Sequence, residues 1–308
     1  MKKIREEFAD TMLEVGLQDP SLVVLVGDIS HGILQPFSKS CPGRYYNIGI
    51  CEPCIVNMAA GLNKVGLIPV VHTIAPFIIE RAYEQIKLDF GYQNLSGNLV
   101  SVGGSFDYAQ LGCSHHCYTD VSLLSHLERA RIVVPGSTTE FNLLFKQIYR
   151  GEYINYFRIP ENPHGVNIPP EKIKFGKGIK LKEGRDITIV TSGSPLRVVL
   201  EAALKLSDAG ISVEVLYFHT LKPFDGELFR ESIRKTGRFL VAEELSAHDG
   251  LFNLCLRAQA DSFSAKSDTI AVKDFIRKYG SYEELCKTIG LSVEGIVASS
   301  VSLLKKRE

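Results

Sequence analysis

One acid, Glu52, stands in the stretch Tyr45 to Leu62, YYNIGICEPCIVNMAAGL, among Ile48, Ile50, Cys51, Pro53, Ile55 and Val56. A carboxyl group in such apolar company is expected to be largely dehydrated. That disfavours the charged form, raises the pKa and makes the group useful as a proton donor or as one partner of a shared proton. An acid at this position also suits the start of a helix, where the dipole favours negative charge. Two further stretches carry matching chemistry. Val70 to Gln85, VVHTIAPFIIERAYEQ, supplies aromatic and apolar surface, and Gly112 to Cys117, GCSHHC, supplies two imidazoles, His115 and His116, after a glycine turn. Imidazoles give and take protons near neutral pH.

Cysteine is the other reactive type, with seven residues at 41, 51, 54, 113, 117, 255 and 286. An odd number in a chain of this size does not read as a secreted disulfide framework. Cys51 and Cys54 have the CxxC spacing of zinc and redox sites, and Cys113 and Cys117 flank the two histidines. A tetrahedral metal site calls for a second matched pair, whereas CxxxC with histidines inside it is irregular. Small buried cysteines are the plainer expectation, and no metal site is assigned.

Positioning these groups takes two domains, the natural number for 308 residues at roughly 100 to 200 per domain. Ser21 to Gly27, SLVVLVG, is a continuous apolar run of strand length, as expected of a buried parallel strand. Asp28 follows it, in a loop at the carboxyl end of the strand, where open α/β sheets bind ligands. Further strands are expected at 67–72, 99–102, 131–134 and 154–159, with helices at 56–65, 78–89 and 139–149. The Pro-, Gly- and Lys-rich stretch from Pro160 to Arg185 interrupts the pattern and marks a linker. Strands at 187–190, 212–217 and 238–242 then alternate with helices at 194–209, 226–234 and 249–259. The expected fold class is α/β, with a parallel-sheet domain at 1–165, a linker at 166–185 and a smaller α/β domain at 186–308.

Lysine plus arginine equals aspartate plus glutamate at 35 each, so no global field favours nucleic acid or an anionic membrane, and neither is an expected partner. The basic end, Lys305 to Arg307, reads as a solvated tail. At the other end Ile4, Phe8, Met12 and Leu13 fall at helical spacing with acids between them, unlike the apolar core of a signal peptide; a cytoplasmic location is expected.

The blocks GICEPCIVNMAAGL, TIAPFIIERAYEQI, GRDITIVTSGS, HTLKPFD, VAEELSAHDGLFN and FIRKYGSYEELCKTIGL together resemble the C-terminal section of transketolase, over the length of the chain. The resemblance implies a pyrimidine-type thiamine-diphosphate-binding domain followed by a transketolase C-terminal domain, and a transferase of two-carbon ketol units. It assigns to Glu52 the hydrogen bond to the cofactor's pyrimidine, to Phe77 the stacking on that ring, and to Asp28 and Arg81 further cofactor contacts. Placing Phe77 needs one extra residue in FIIERAYEQ. His115, or its neighbour His116, matches the histidine of the family's GPTHQ block, which touches substrate oxygens and moves protons. Arg158, in YFRIP, and more loosely Arg5 match arginines that grip a sugar phosphate. The family holds the diphosphate through Mg²⁺ with a GDG motif and a later Asn, and no GDG occurs here. The expected partner is therefore an N-terminal subunit carrying that motif and most of the Mg²⁺ contacts, with this chain as a homodimer inside a heterotetramer acting on a sugar or sugar phosphate.

Three positions depart from ordinary transketolases. Gly103 stands where they have a phosphate-facing histidine, and Gln110 and Leu111 stand where they have acids that read sugar hydroxyls. An acceptor pocket with less charge and more apolar surface is expected. Alternatives to a transketolase are the β-subunit of a 2-oxoacid dehydrogenase decarboxylating component, deoxyxylulose phosphate synthase, and an assembly subunit without chemistry.

Overall fold

The computed structural model describes residues 2–260 and 263–305. Helix α1 (Ile4–Gln18) opens the chain and buries Ile4, Phe8 and Met12, the face expected from their spacing. Strand β1 (Leu22–Val26) is buried at every residue, as a continuous apolar run in the middle of a sheet must be. Short α2 (Gln35–Ser40) and β2 (Tyr45–Asn47) lead to α3 (Glu52–Lys64), whose first residue is Glu52 and whose second is a proline, tolerated there because that backbone nitrogen has no helical partner.

The strands β3 (Ile68–Ile74), β4 (Gly97–Val102), β5 (Ala130–Val133) and β6 (Ile154–Ile159) complete a parallel run in the order β5-β6-β4-β3-β1-β2. Both faces are covered. Val23, Leu25 and Val71 belong to the same apolar cluster as Ile55, Val56 and Ala59, while Val24, Val70 and Val100 share a second cluster with Phe8, Phe141 and Phe157.

Between β3 and β4 the expected helix over 78–89 is broken. Pro76–Glu80 and Ile86–Tyr92 are π-helical turns on either side of a three-residue helix, α4 (Tyr83–Gln85). The Arg81 amide donates to the Pro76 carbonyl at 3.0 Å, an i to i−5 bond, so this turn holds one residue more than an α-turn. Helices α5 (Asp120–Ser125) and α6 (Thr138–Ile148) finish the first unit.

The second sheet contains β7 (Ile179–Lys182), β8 (Ile187–Thr191), β9 (Val213–Tyr217), β11 (Arg238–Ser246) and β12 (Lys266–Val272), in the order β12-β11-β8-β9-β7. The short β10 (Thr220–Lys222) leaves this unit and pairs antiparallel with β5 on the first sheet. Part of the expected linker is thus sheet: β7 lies within 166–185 and pairs with β9. Helices α7 (Leu196–Asp208), α8 (Gly226–Thr236), α9 (Leu251–Ala260), α10 (Tyr282–Thr288) and α11 (Val293–Lys305) pack around the second sheet. Of the basic end, Lys306 and Arg307 lie outside the described residues.

Candidate active site

Helix α3 presents Glu52 at its first turn, 1% exposed. The acid is not alone. Arg81, brought round by the π-turn, donates from Nη1 to Glu52 Oε2 at 2.8 Å, and its guanidinium carbon stands 4.3 Å from the centroid of the Phe77 ring. Arg81 keeps 45% of its side chain exposed, so the pair opens to solvent on the arginine side. A second neighbour of Phe77 is His115, ring centroid 5.2 Å away and edge-on. Glu52, Arg81, Phe77 and His115 therefore form one cluster, drawn from α3, the π-turn and the loop after β4.

That loop, 103–117, is pinned at its base by a pair of backbone hydrogen bonds between Ser105 and Cys117. Thr119 Oγ1 donates to Glu80 Oε1 at 2.5 Å and ties the histidine loop to the π-turn. Ser114 Oγ lies 3.1 Å from His115 Nδ1. His116 turns the other way: it is 3% exposed, lies edge-on to Phe106 at 6.4 Å, and both its ring nitrogens are buried without a hydrogen-bond partner. Burial, reinforced by the adjacent His115, pushes its pKa down, so it sits there as neutral imidazole.

The remaining expected residues are placed less directly. Asp28 is exposed, takes a left-handed φ of 67° and exchanges hydrogen bonds with Asn47, whose side-chain oxygen also accepts from Gly49 on the way to Glu52. Arg5 pairs with Glu161 at 2.9 Å, and the same carboxylate accepts from the Tyr108 hydroxyl at 3.0 Å. Arg158 is engaged by acids of both units. It is 2% exposed, donates from Nε to Asp120 and from Nη1 to Glu244, each at 2.8 Å, and lies against the Gly104 backbone. A guanidinium held in this way clamps the two units together.

Sequence reasoning passed over Tyr108, Asp107 and Glu244. Tyr108 explains Gly103: the glycine has φ of 71°, and a Cβ there would lie 2.0 Å from the tyrosine ring. Asp107 accepts from the Glu161 amide and from Asn162, and burial together with the Glu244 charge pushes it up to about 7. The spacing offered no signal for these, because their hydrogen-bond partners lie 38 to 86 residues away. Gln110 and Leu111 are exposed on the same loop. Of the cysteines, 51, 54 and 113 are exposed and Cys117 is buried against Glu80. Among the described residues no three His, Cys, Asp or Glu side chains converge on a metal position.

Residues 1–163 match the family model of the transketolase pyrimidine-binding domain, and residues 176–296 match that of the transketolase C-terminal domain. The chain belongs to the transketolase family. Similar chains include the 6-deoxy-6-sulfo-D-fructose transketolase subunit of Clostridium sp. (strain MSTE9), 29% identical over 99% of this chain and 95% of the relative. An apulose-4-phosphate transketolase subunit of Phocaeicola vulgatus is 28% identical over 98% of this chain and 97% of the relative. A deoxyxylulose phosphate synthase of Geobacter sulfurreducens is 28% identical over 96% of this chain but only 47% of its own length. Among solved structures, a split-gene transketolase described as an inactive beta4 tetramer superposes with a TM-score of 0.91 over the whole of both chains at 29% identity. The chain spans nearly the whole of the two transketolase subunits and about half of the synthase.

The family uses thiamine diphosphate, and the cluster fits the aminopyrimidine end of that cofactor. Arg81 already makes the two contacts such a ring calls for, a flat cationic face on Phe77 and an N–H donated to Glu52. A planar ring bearing N–H donors can use the same aromatic face and the same carboxyl.

Proposed function

We propose that this chain is the pyrimidine-binding, C-terminal subunit of a two-component transketolase, moving a two-carbon ketol unit from a ketose donor to an aldose acceptor. The observation that supports it most is the buried acid of α3 set beside an aromatic face and an imidazole, in a chain that matches transketolase subunits nearly end to end. Bound thiamine diphosphate supplies the nucleophilic carbon and the electron sink.

In this reading the Glu52 carboxyl makes the hydrogen bond to the pyrimidine nitrogen, in a place sheltered from solvent. Phe77 fixes the plane of the ring. His115, beside Phe77, exchanges protons with substrate oxygens, and His116 offers two unpartnered nitrogens to a polar group that enters behind it. Arg81 moves off the acid and the Phe77 face to admit the ring.

A partner subunit with the GDG motif and its Mg²⁺ completes the site, in a cytoplasmic heterotetramer built on a homodimer of this chain. The inactive state described for the split-gene neighbour fits that requirement. The acceptor wall, with Gly103 filled by Tyr108 and with Gln110 and Leu111 exposed, supports an acceptor other than an ordinary pentose or tetrose phosphate.

Glu52→Gln in the reconstituted complex is the test. The variant is expected to fold and assemble while ketol transfer falls by about 10² to 10⁴-fold, the usual contribution of an acid/base group. Turnover close to that of the parent would leave this chain as an assembly subunit without chemistry.

A further inference from the structure

We propose that Cys51 and Cys54 are a reversible dithiol–disulfide pair that straddles Glu52 and turns the site off when oxidised. The loss of activity rests on the reading of Glu52 given above; the disulfide itself does not.

Cys51 is the N-cap of α3 and Cys54 its third residue. Side chains at those two positions face one another across the first turn, the relation used by a capping box. Here both positions of that turn carry a thiol. Both are exposed, whereas Cys41, Cys117, Cys255 and Cys286 are buried. Cys113 is the other exposed thiol, but its sequence neighbour Cys117 is turned inward onto Glu80 at 3.6 Å. A CxxC at a helix start is where thiolates are stabilised. The neighbouring Cys51 raises the pKa of the Cys54 thiol.

The reaction needs a disulfide oxidant, and glutathione disulfide is the class expected in a reducing compartment. The Cys51 thiolate attacks one sulfur of the oxidant and expels one glutathione thiolate, giving a mixed disulfide. Cys54 then loses its proton and displaces the second glutathione. One S–S bond is broken and one formed, two cysteine thiols are oxidised and one glutathione disulfide is reduced to two thiols. Closure draws the two sulfurs to about 2.05 Å, and the residue between N-cap and N3 that carries function is Glu52. Its carboxylate is held at 2.8 Å from Arg81 in the reduced chain. A catalytic group displaced by about 1 Å can lose about 10²-fold in rate.

Trypsin cleavage after Arg44 and Lys64 releases the peptide Tyr45–Lys64, which holds these two cysteines and no other. The full chain is equilibrated in glutathione buffers of graded redox ratio, quenched with iodoacetamide and mapped. The expected result is joint loss of both alkylation sites with the mass of two hydrogens, reversed by dithiothreitol, while Cys113 stays open to alkylation. Cys54→Ser should trap a glutathione adduct on Cys51. In the reconstituted complex the parent should lose most ketol transfer in step with the disulfide and regain it on reduction. A peptide that stays doubly alkylated in the most oxidising buffer, or that keeps glutathione unresolved in the parent, overturns the pair. A disulfide that forms without loss of turnover overturns the switch. A complex inactive even when reduced counts against the transketolase reading alone.

Discussion

Arg158→Met separates a structural clamp from a phosphate grip. The guanidinium holds Asp120 and Glu244 at 2.8 Å each, and these side chains are 0% and 4% exposed. Methionine keeps much of the volume and removes the charge and both bonds. Hydrogen bonds to charged groups contribute about 1.5 to 3 kcal/mol each. Breaking a buried pair by deleting one partner costs about 3 to 5 kcal/mol, because the other charge stays in a low dielectric. The hydroxyls of Tyr156 and Tyr282 still donate to Asp120 and Glu244, which keeps the loss inside that range rather than above it. Since Glu244 belongs to β11 and Asp120 to α5, the deficit should appear in the first urea transition, where the two units part. Adding Asp120→Asn and Glu244→Gln to the methionine variant removes the stranded charges and should restore much of the midpoint. If Arg158→Met unfolds within about 1 kcal/mol of the parent while KM for a phosphorylated donor rises sharply, the guanidinium reaches substrate and the clamp is refuted.

Gly103→Ala should destabilise the chain in thermal unfolding. A left-handed φ of 71° costs a side-chain-bearing residue about 1 to 2 kcal/mol, and the added Cβ meets the Tyr108 ring at 2.0 Å. Tyr108→Ala in that background should recover the steric part and leave the backbone strain, so equal loss in single and double variants would deny the contact. Stability should also fall as pH rises from about 4.5 to 7, because burial raises Glu243 from 4.5 to about 7 in the folded chain. The folded state then keeps a proton that the unfolded state releases across that window, so the stabilisation is full at the acid end and lost at the neutral end. Glu243→Gln should flatten the slope of urea midpoint against pH, and an unchanged slope would assign the effect to Asp107, also raised to about 7.

How much of this was legible in the sequence depended on whether the cause was local. The strand expected at 154–159 has those ends in the structure, and the run from Ser21 contains β1, because a central parallel strand is apolar on both faces and its run needs no partner to be seen. The edge strand β12, KSDTIAV, mixes polar and apolar residues and was missed, as was β10, three residues long and paired with the other unit's sheet. The π-turn at Pro76–Glu80 left no periodic mark, because its extra residue per turn breaks the helical spacing that a reading of 78–89 relies on. Arg158 shows the non-local case. Its ion pairs left no mark in its own block, because Asp120 and Glu244 lie 38 and 86 residues away, and only the fold brings them together. The acceptor wall combines the two cases. The missing histidine at Gly103 and the change at Gln110 and Leu111 were visible one by one, and they read as loss. Tyr108 alters that reading, since its ring covers the face of Gly103 and its hydroxyl is committed to Glu161, the carboxylate that also holds Arg5. A histidine restored at 103 would have to displace that ring and break this bond, so the two positions change together or not at all. The wall is therefore a rebuilt surface rather than an ordinary one with a side chain removed.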